Sequence, residues 1–397
     1  MPIESLSAAQ RQAWKDRVLP PVESVGEGLW AIPVPIPDNP LVYTYCYAIA
    51  GDDGVTVIDP GWDGPEQFEA LTAGLGQAGF TVQDIRGVAV SHYHRDHVGL
   101  VPWILDKQPD IWLAMHSHDL KTMEGFSTGK VNFRTGTRSG VDICREYGVP
   151  DDRHEEIAPA RHRRPRPAGV GAQGERLPGG AGTSGAGSAD REHSDQDTER
   201  RAVFAGVPMP ANLIVLGEED DLPVAGRQVT SLWTPGHTYG HSAFRIADAG
   251  NTEGRSGTTA AFVSGDHVLP TISPNIGLDA PRITRSLGDY LSSLDRMEDL
   301  DGDVTVLPAH GFRFAGLHDR TTELKEHHEE RLQAIRERWD AAEDASQRTV
   351  YSVAQGLEWA RGFEGLKNFN LFAALAETAA HMHYLDLPVG PAEESAA

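Results

Sequence analysis

Short apolar runs that stop at a glycine, a histidine or an aspartate recur along this chain, and no bulk property restricts its fold as much. Between Gly28 and Met115 the segments GLWAIPVPI, YTYCYAIA, VTVID, GVAVS and IWLAM are short, rich in β-branched or aromatic residues, and bounded by Gly, Pro and Asp, which predicts strands. PEQFEALTAGLGQAGF lies among them and sets Phe68, Leu71 and Leu75 on one helical face. A second run of this kind starts near Ala211. There QVTSLW, AAFVSG and VTVLPA read as strands, and SLGDYLSSLDRMEDL spaces Leu287, Tyr290, Leu291, Leu294 and Met297 as a helix does. Two strand-rich halves with flanking helices predict two sheets packed face to face with helices outside. A charged helix is expected over about 318–344, followed by a small helical module near 349–387.

The 397 residues suffice for one large domain or two ordinary ones. A net charge of −23 opposes binding to nucleic acid or to an anionic membrane. No apolar run approaches the roughly 20 residues of a membrane helix, and MPIESLSAAQRQAWKDRVLP lacks a signal-peptide core, so a soluble, cytoplasmic protein is expected. The two cysteines, Cys46 and Cys144, build neither a disulfide framework nor a zinc knuckle. Cys46, within an apolar strand, reads as a core thiol.

Residues 161–201 interrupt the pattern. These 41 residues hold 8 Gly, 3 Pro and 8 Arg, no Lys, and only Val170 and Leu177 as larger aliphatics. Such a stretch buries too little apolar surface to offset its ordering entropy, so a disordered loop is expected. Arg, Gly, Pro and Ala without Lys is also what a GC-rich gene yields out of frame; a local double frameshift and a genuine insertion both fit.

The chemistry concentrates in SHYHRDHVGL, directly after the strand GVAVS, with His92, His94, Asp96 and His97 within six positions. Imidazole nitrogen and carboxylate oxygen suit zinc, and also manganese or iron. Alternate residues of an extended segment point the same way, so His92 and His94 can grip one ion while Asp96 and His97 address a second. Three further strands end in ligand-type residues: TSLWTPGHTYGHS in His237 and His241, AAFVSGDHVLP in Asp266 and His267, and VTVLPAHGF in His310. Asp59, ending VIDPGW, reads either as a carboxylate orienting a ligating imidazole or as a turn residue before the next helix. His327 and His328 in EHHEER lack zincin spacing and are expected on a solvated helix face. His116 and His118 in AMHSHD are expected to be structural.

HxHxDH followed in order by PGH, GD and AHG resembles the metallo-β-lactamase-fold superfamily, over about residues 25–150 and 211–345. The resemblance implies an α+β, four-layer αββα sandwich as the catalytic domain, 1–345. It also implies a ligand set: His92, His94 and His237 for one metal, Asp96, His97 and His310 for the other, and Asp266 bridging. That set looks like glyoxalase II and related hydrolases; antibiotic-cleaving members use a Cys ligand instead. TVYSVAQGLEWARG and ALAETAAHMHYLDL are similar to the winged-helix-like module of the β-lactamase-like-protein-2 group, here 346–390, some members of which cleave single-stranded RNA. The expected function is thus hydrolysis of an ester, thioester or phosphodiester by two divalent ions, zinc first and iron or manganese as alternatives, sharing a bridging hydroxide. Asp96 would orient that hydroxide, and His241 would either assist the leaving group or be structural. A glyoxalase II-like hydroxyacyl-thioester hydrolase is the runner-up. A small molecule or single-stranded RNA is the expected substrate. The module at 349–387 carries Arg361 and Lys367 against Glu358, Glu364, Glu377 and Asp386, which argues against autonomous DNA binding.

Overall fold

The computed structural model describes residues 3–127, 140–157, 210–247, 259–278, 285–298, 300, 304–360 and 362–390. Residues 161–201, for which a disordered insertion or frameshift scar is expected, lie outside the described residues.

Among the described residues fourteen strands form two sheets of seven. In chain order they are β1 (Glu4–Ser5), β2 (Glu23–Gly26), β3 (Leu29–Pro35), β4 (Tyr43–Gly51), β5 (Gly54–Ile58), β6 (Ile85–Ala89), β7 (Trp112–His116), β8 (Leu213–Leu216), β9 (Glu219–Asp221), β10 (Val229–Trp233), β11 (Ser242–Ala247), β12 (Thr259–Gly265), β13 (Thr305–Pro308) and β14 (Phe314–Ala315). The first sheet runs β2 to β8 in sequence order, and the second runs β1-β14-β13-β12-β11-β10-β9. The short strands missed from sequence, β1, β2, β9 and β14 among them, border or flank the sheets, where propensity is weakest.

Strand β4 shows why the sheets stack. Its odd positions, Tyr43, Tyr45, Tyr47 and Ile49, join Phe244, Phe262, Val263 and Phe314 of the other sheet in one buried cluster. Its even positions, Cys46 and Ala48, face the helix Pro65–Gln77 through Leu71 and Leu75 in a separate cluster. A period of two thus assigns one face to the sheet partner and one to the helical layer, each fully buried aliphatic contributing about 1.5–3 kcal/mol. Cys46 is a core thiol as expected. The charged helix extends over Leu317–Asp340.

The C-terminal helices Val350–Gln355 and Phe369–Tyr384 do not stand alone. Their Val350, Val353, Leu371, Phe372, Leu375 and Met382 share a third core with Ile143, Tyr147 and Ile157 from the middle of the chain. The helical part of the expected C-terminal module is present. Among the described residues no strand follows β14. One expectation is corrected here: His328 is not on a solvated face but buried at 1% exposure, between Tyr290 and His381. No helix of the described residues is long and apolar enough to cross a membrane.

Candidate metal centre

Five strands deliver their carboxyl ends to one place. β5 and β6 are parallel, as are β12 and β13, and β10 is two antiparallel steps from β12, so each of these neighbours runs in register toward the same edge. The residues just beyond those ends are Asp59, His92, His237, Asp266 and His310. Two groups of donors result, His92, His94, His237 and Asp266 in one and Asp96, His97 and His310 in the other, with the donor atoms of each group within 4.8 Å of one another. All seven sequence-nominated ligands therefore meet.

Asp266 lies between the groups. Its Oδ2 is 3.4 Å from His237 Nε2 and 4.0 Å from His92 Nε2, while its Oδ1 is 3.2 Å from His310 Nε2 and 3.6 Å from His97 Nε2. Asp96 Oδ2 completes the second group at 3.5 Å from His310 Nε2 and 3.7 Å from His97 Nε2.

Each ring is turned by a bond on its far side. His97 donates from Nδ1 to Asp59 Oδ2 at 2.9 Å, His237 to Asn275 O at 2.9 Å, and His310 to Tyr43 O at 2.7 Å. Asp59 also accepts from the backbone N–H and hydroxyl of Ser91, whose Oγ lies 3.0 Å from His92 Nδ1. These bonds fix the tautomers that leave Nε2 of His92, His97, His237 and His310 as inward-facing donors, whereas His94 turns Nδ1 inward, 2.8 Å from His92 Nε2. Of the two readings of Asp59, the structure thus supports the orienting one. It sits at φ 53°, a left-handed conformation that Asp tolerates better than most residues.

Asp266 Oδ1, His97 Nε2 and His310 Nε2 are buried and form no hydrogen bond. Leaving such atoms unsatisfied costs about 1–3 kcal/mol each. Three of them facing one point mark a site shaped for a cation. The electrostatics agree. Burial, with His97, His94 and His237 nearby, pushes His92 well below its ordinary value, and burial with His237 does the same to His94. Burial also opposes the charged forms of His97 and Asp266. Even so, Asp59, Asp96 and Asp266 push the His97 imidazole well up, and His310 and His97 hold the Asp266 carboxyl well below the usual carboxylate range. A cation entering the second group would displace the proton held on His97 and take over the pairing with the ionised Asp266.

Two sequence candidates fall elsewhere. His241 is fully buried and engaged at both nitrogens, Nδ1 donating to Thr234 Oγ1 at 2.7 Å and Nε2 accepting the Asp266 N–H at 3.3 Å. Its bonds anchor the loop that carries Asp266. His267 is buried beneath the site against His241 and Tyr290. His116 and His118 stack on Trp233 outside the two donor groups, as expected of structural residues.

Sequence reasoning missed Asp119. Buried at 1%, it accepts from the Tyr93 N–H at 3.0 Å, Thr238 Oγ1 at 2.9 Å and the Gly240 N–H at 2.8 Å, tying the HxHxDH loop to the PGHTYGH loop. Asp119→Ala strands those donors and should cost about 3 kcal/mol and roughly tenfold in metal affinity. Denaturant unfolding and a competitive metal titration measure both. An unchanged midpoint would remove Asp119 from this role.

The pattern of the metallo-beta-lactamase superfamily matches residues 39–310, more than half of the chain, and the chain belongs to that family. The chain is 24% identical over 348 residues to the probable metallo-hydrolase YqjP of Bacillus subtilis, spanning 86% of both proteins. It is 29% identical over 112 residues to the lactamase-like protein adaB of Aspergillus niger, a match covering 28% of this chain and 29% of that protein. Among solved structures it resembles a metallo-beta-lactamase family protein from Thermus thermophilus at 25% identity and a TM-score of 0.63, covering 91% of this chain and 94% of that one. A beta-lactamase domain protein from Burkholderia ambifaria shares the fold at 20% identity and a TM-score of 0.61, over 96% of this chain and 92% of that one.

Proposed function

We propose that this chain is a dinuclear metallohydrolase, zinc-dependent, that cleaves an ester or thioester of a small molecule. The observation that carries the reading is Asp266, which turns one carboxylate oxygen toward each donor group. His92, His94 and His237 would hold one ion and Asp96, His97 and His310 the other, with Asp266 shared between them. When bound, the ions would supply a Lewis acid for the substrate oxygen and bring water ionisation into the neutral range.

The chain's own residues do the rest. Asp96 lines the open side of the site and accepts from Thr44 Oγ1 at 3.3 Å, which fixes the carboxylate that orients the attacking water. Asp59 holds His97 in one tautomer, and Tyr43 does so for His310. Tyr43 and Tyr47 also donate from their hydroxyls to Gly311 O at 2.8 Å and Pro308 O at 2.6 Å, pinning the loop that presents His310. His241 is a positioning residue for the Asp266 loop.

The test is reconstitution with Zn²⁺, Mn²⁺ or Fe²⁺ separately, followed by metal analysis and assays on ester, thioester and phosphodiester panels. About two ions per chain with turnover of carbonyl esters or thioesters is expected. Fewer than one ion per chain, or inertness toward every member of the panels, would sink the reading.

A further inference from the structure

The donor groups open into a cavity of about 540 Å³, and its other walls are unlike its floor. Leu41, Trp62, Leu269, Ile272, Leu278 and Phe369 line it around His94, Asp96, His237, Asp266 and His310. Its volume lies inside the range of small-molecule sites, roughly 300–1,000 Å³.

Charge narrows the occupant. Among the described lining residues the one cationic side chain besides histidine is Arg95, and it is already engaged. Its guanidinium pairs with Asp63 at 2.9 Å and lies 4.7 Å from the Trp62 ring centroid. A phosphodiester backbone is held by several uncommitted Lys or Arg side chains. A wall of Leu, Ile, Trp and Phe offers an uncharged apolar body its burial.

The C-terminal helix supplies part of the outer wall. Phe369 opens the helix Phe369–Tyr384 and is 39% exposed, although the same helix buries Leu371, Phe372 and Leu375 in the third core. That helix also braces the loop opposite. Gly277, at φ +125°, approaches so closely that a Cβ there would lie 2.4 Å from Ala376 O, and Asn275 Nδ2 donates to Ala373 O at 3.4 Å. The carbonyl of Asn275 accepts from the ligand His237. The place of the helix Phe369–Tyr384 relative to the donor groups is therefore set by the fold, and Phe369 lines the cavity from its first turn.

We infer that the pocket selects esters or thioesters with an apolar acyl group beside the scissile carbonyl, and that Phe369 is the residue that sets the preferred acyl length. This rests on the hydrolase reading for the reaction, but not for the binding preference. The C-terminal helices then serve as a substrate wall, which fits the core they share with Ile143, Tyr147 and Ile157 and the absence of Lys and Arg from Val350–Gln355 and Phe369–Tyr384.

The experiment uses the full chain loaded with Zn²⁺ and p-nitrophenyl esters from acetyl to decanoyl, with bis-p-nitrophenyl phosphate and a single-stranded RNA oligonucleotide alongside. Binding of the matching free carboxylic acids is measured by calorimetry. In the wild type, kcat/KM and acid affinity should each rise about threefold per methylene from acetyl to hexanoyl. Phe369→Ala should lower the hexanoyl-to-acetyl ratio of kcat/KM about tenfold, and Phe369→Leu should restore most of it. A ratio unmoved by Phe369→Ala, a flat chain-length profile, or faster turnover of the phosphodiester or RNA would overturn the inference. Inertness toward every ester with acid binding that still strengthens along the series would sink the hydrolase reading and sustain the pocket's preference. Inertness without that trend would sink both.

Discussion

Asp266→Asn should reduce the bound metal from about two ions per chain to about one and lower kcat/KM by about 10³-fold or more. The substitution keeps the side chain's volume while replacing one of its two oxygens by an amide NH2, so only one donor group can still be served. Oδ1 is the atom facing His97 and His310, and Oδ2 faces His92 and His237. Losing either contact removes several kcal/mol of charge stabilisation at the reacting centre, and about 4 kcal/mol corresponds to 10³ in rate. The backbone N–H of Asp266 still reaches His241, so the loop should hold its place. Metal analysis and steady-state kinetics read the effect, with far-UV circular dichroism confirming an unaltered fold. Two retained ions and activity within tenfold of wild type would remove Asp266 from the bridging role.

The donor set was legible because its members follow strands, and a strand's end is visible in local composition. GVAVS before His92, QVTSLW before His237 and AAFVSG before Asp266 each announce a buried strand and then a polar residue that a strand interior would not tolerate. What the residues around them do was less legible. Asp119 lies in AMHSHD, a segment that competes with its own histidines for attention, and its partner Gly240 is 121 positions away. His328 sits among EHHEER on a helix of low mean hydropathy, and its burial depends on Phe369–Tyr384 packing across it. The pocket's outer wall is likewise non-local, made from Leu41, Ile272 and Phe369. Contacts of this kind are fixed by how layers stack, which composition and periodicity do not encode. Helical periodicity near 350–384 is real, but the core it serves is shared with Ile143, Tyr147 and Ile157, which lie about 200 positions earlier.

Acid should destabilise the core that holds the C-terminal helices, and the pair responsible is His328 and His381. His381 donates from Nδ1 to Glu377 O at 2.7 Å, so its Nε2 accepts from His328 Nδ1 at 3.0 Å. His328 Nε2 is left buried without a hydrogen bond. Protonating either ring would place a charge in the third core. Burial, then His381, His327 and Arg331, pushes His328 down to about 2, and burial, with Arg331 and His327, pushes His381 down to about 4 despite the bond to Glu377 O. Both folded values lie below the unfolded histidine value of about 6.5. The unfolded chain therefore takes up protons first as pH falls, so stability is complete above about 6.5 and is lost downward toward the folded values. At about 1.4 kcal/mol per pH unit and group, each histidine removes roughly 3 kcal/mol between pH 6.5 and 4. Together that is a large fraction of the 5–15 kcal/mol typical of a folded domain. Trp339 and Trp359, packed against this core, report its opening by fluorescence. Replacing both residues, His328→Leu with His381→Leu, should move the midpoint of acid unfolding down by about half a pH unit or more, while the metal-centre histidines contribute equally to both proteins and cancel in the comparison. Superimposable acid limbs for wild type and double variant would show that this pair carries none of the pH dependence.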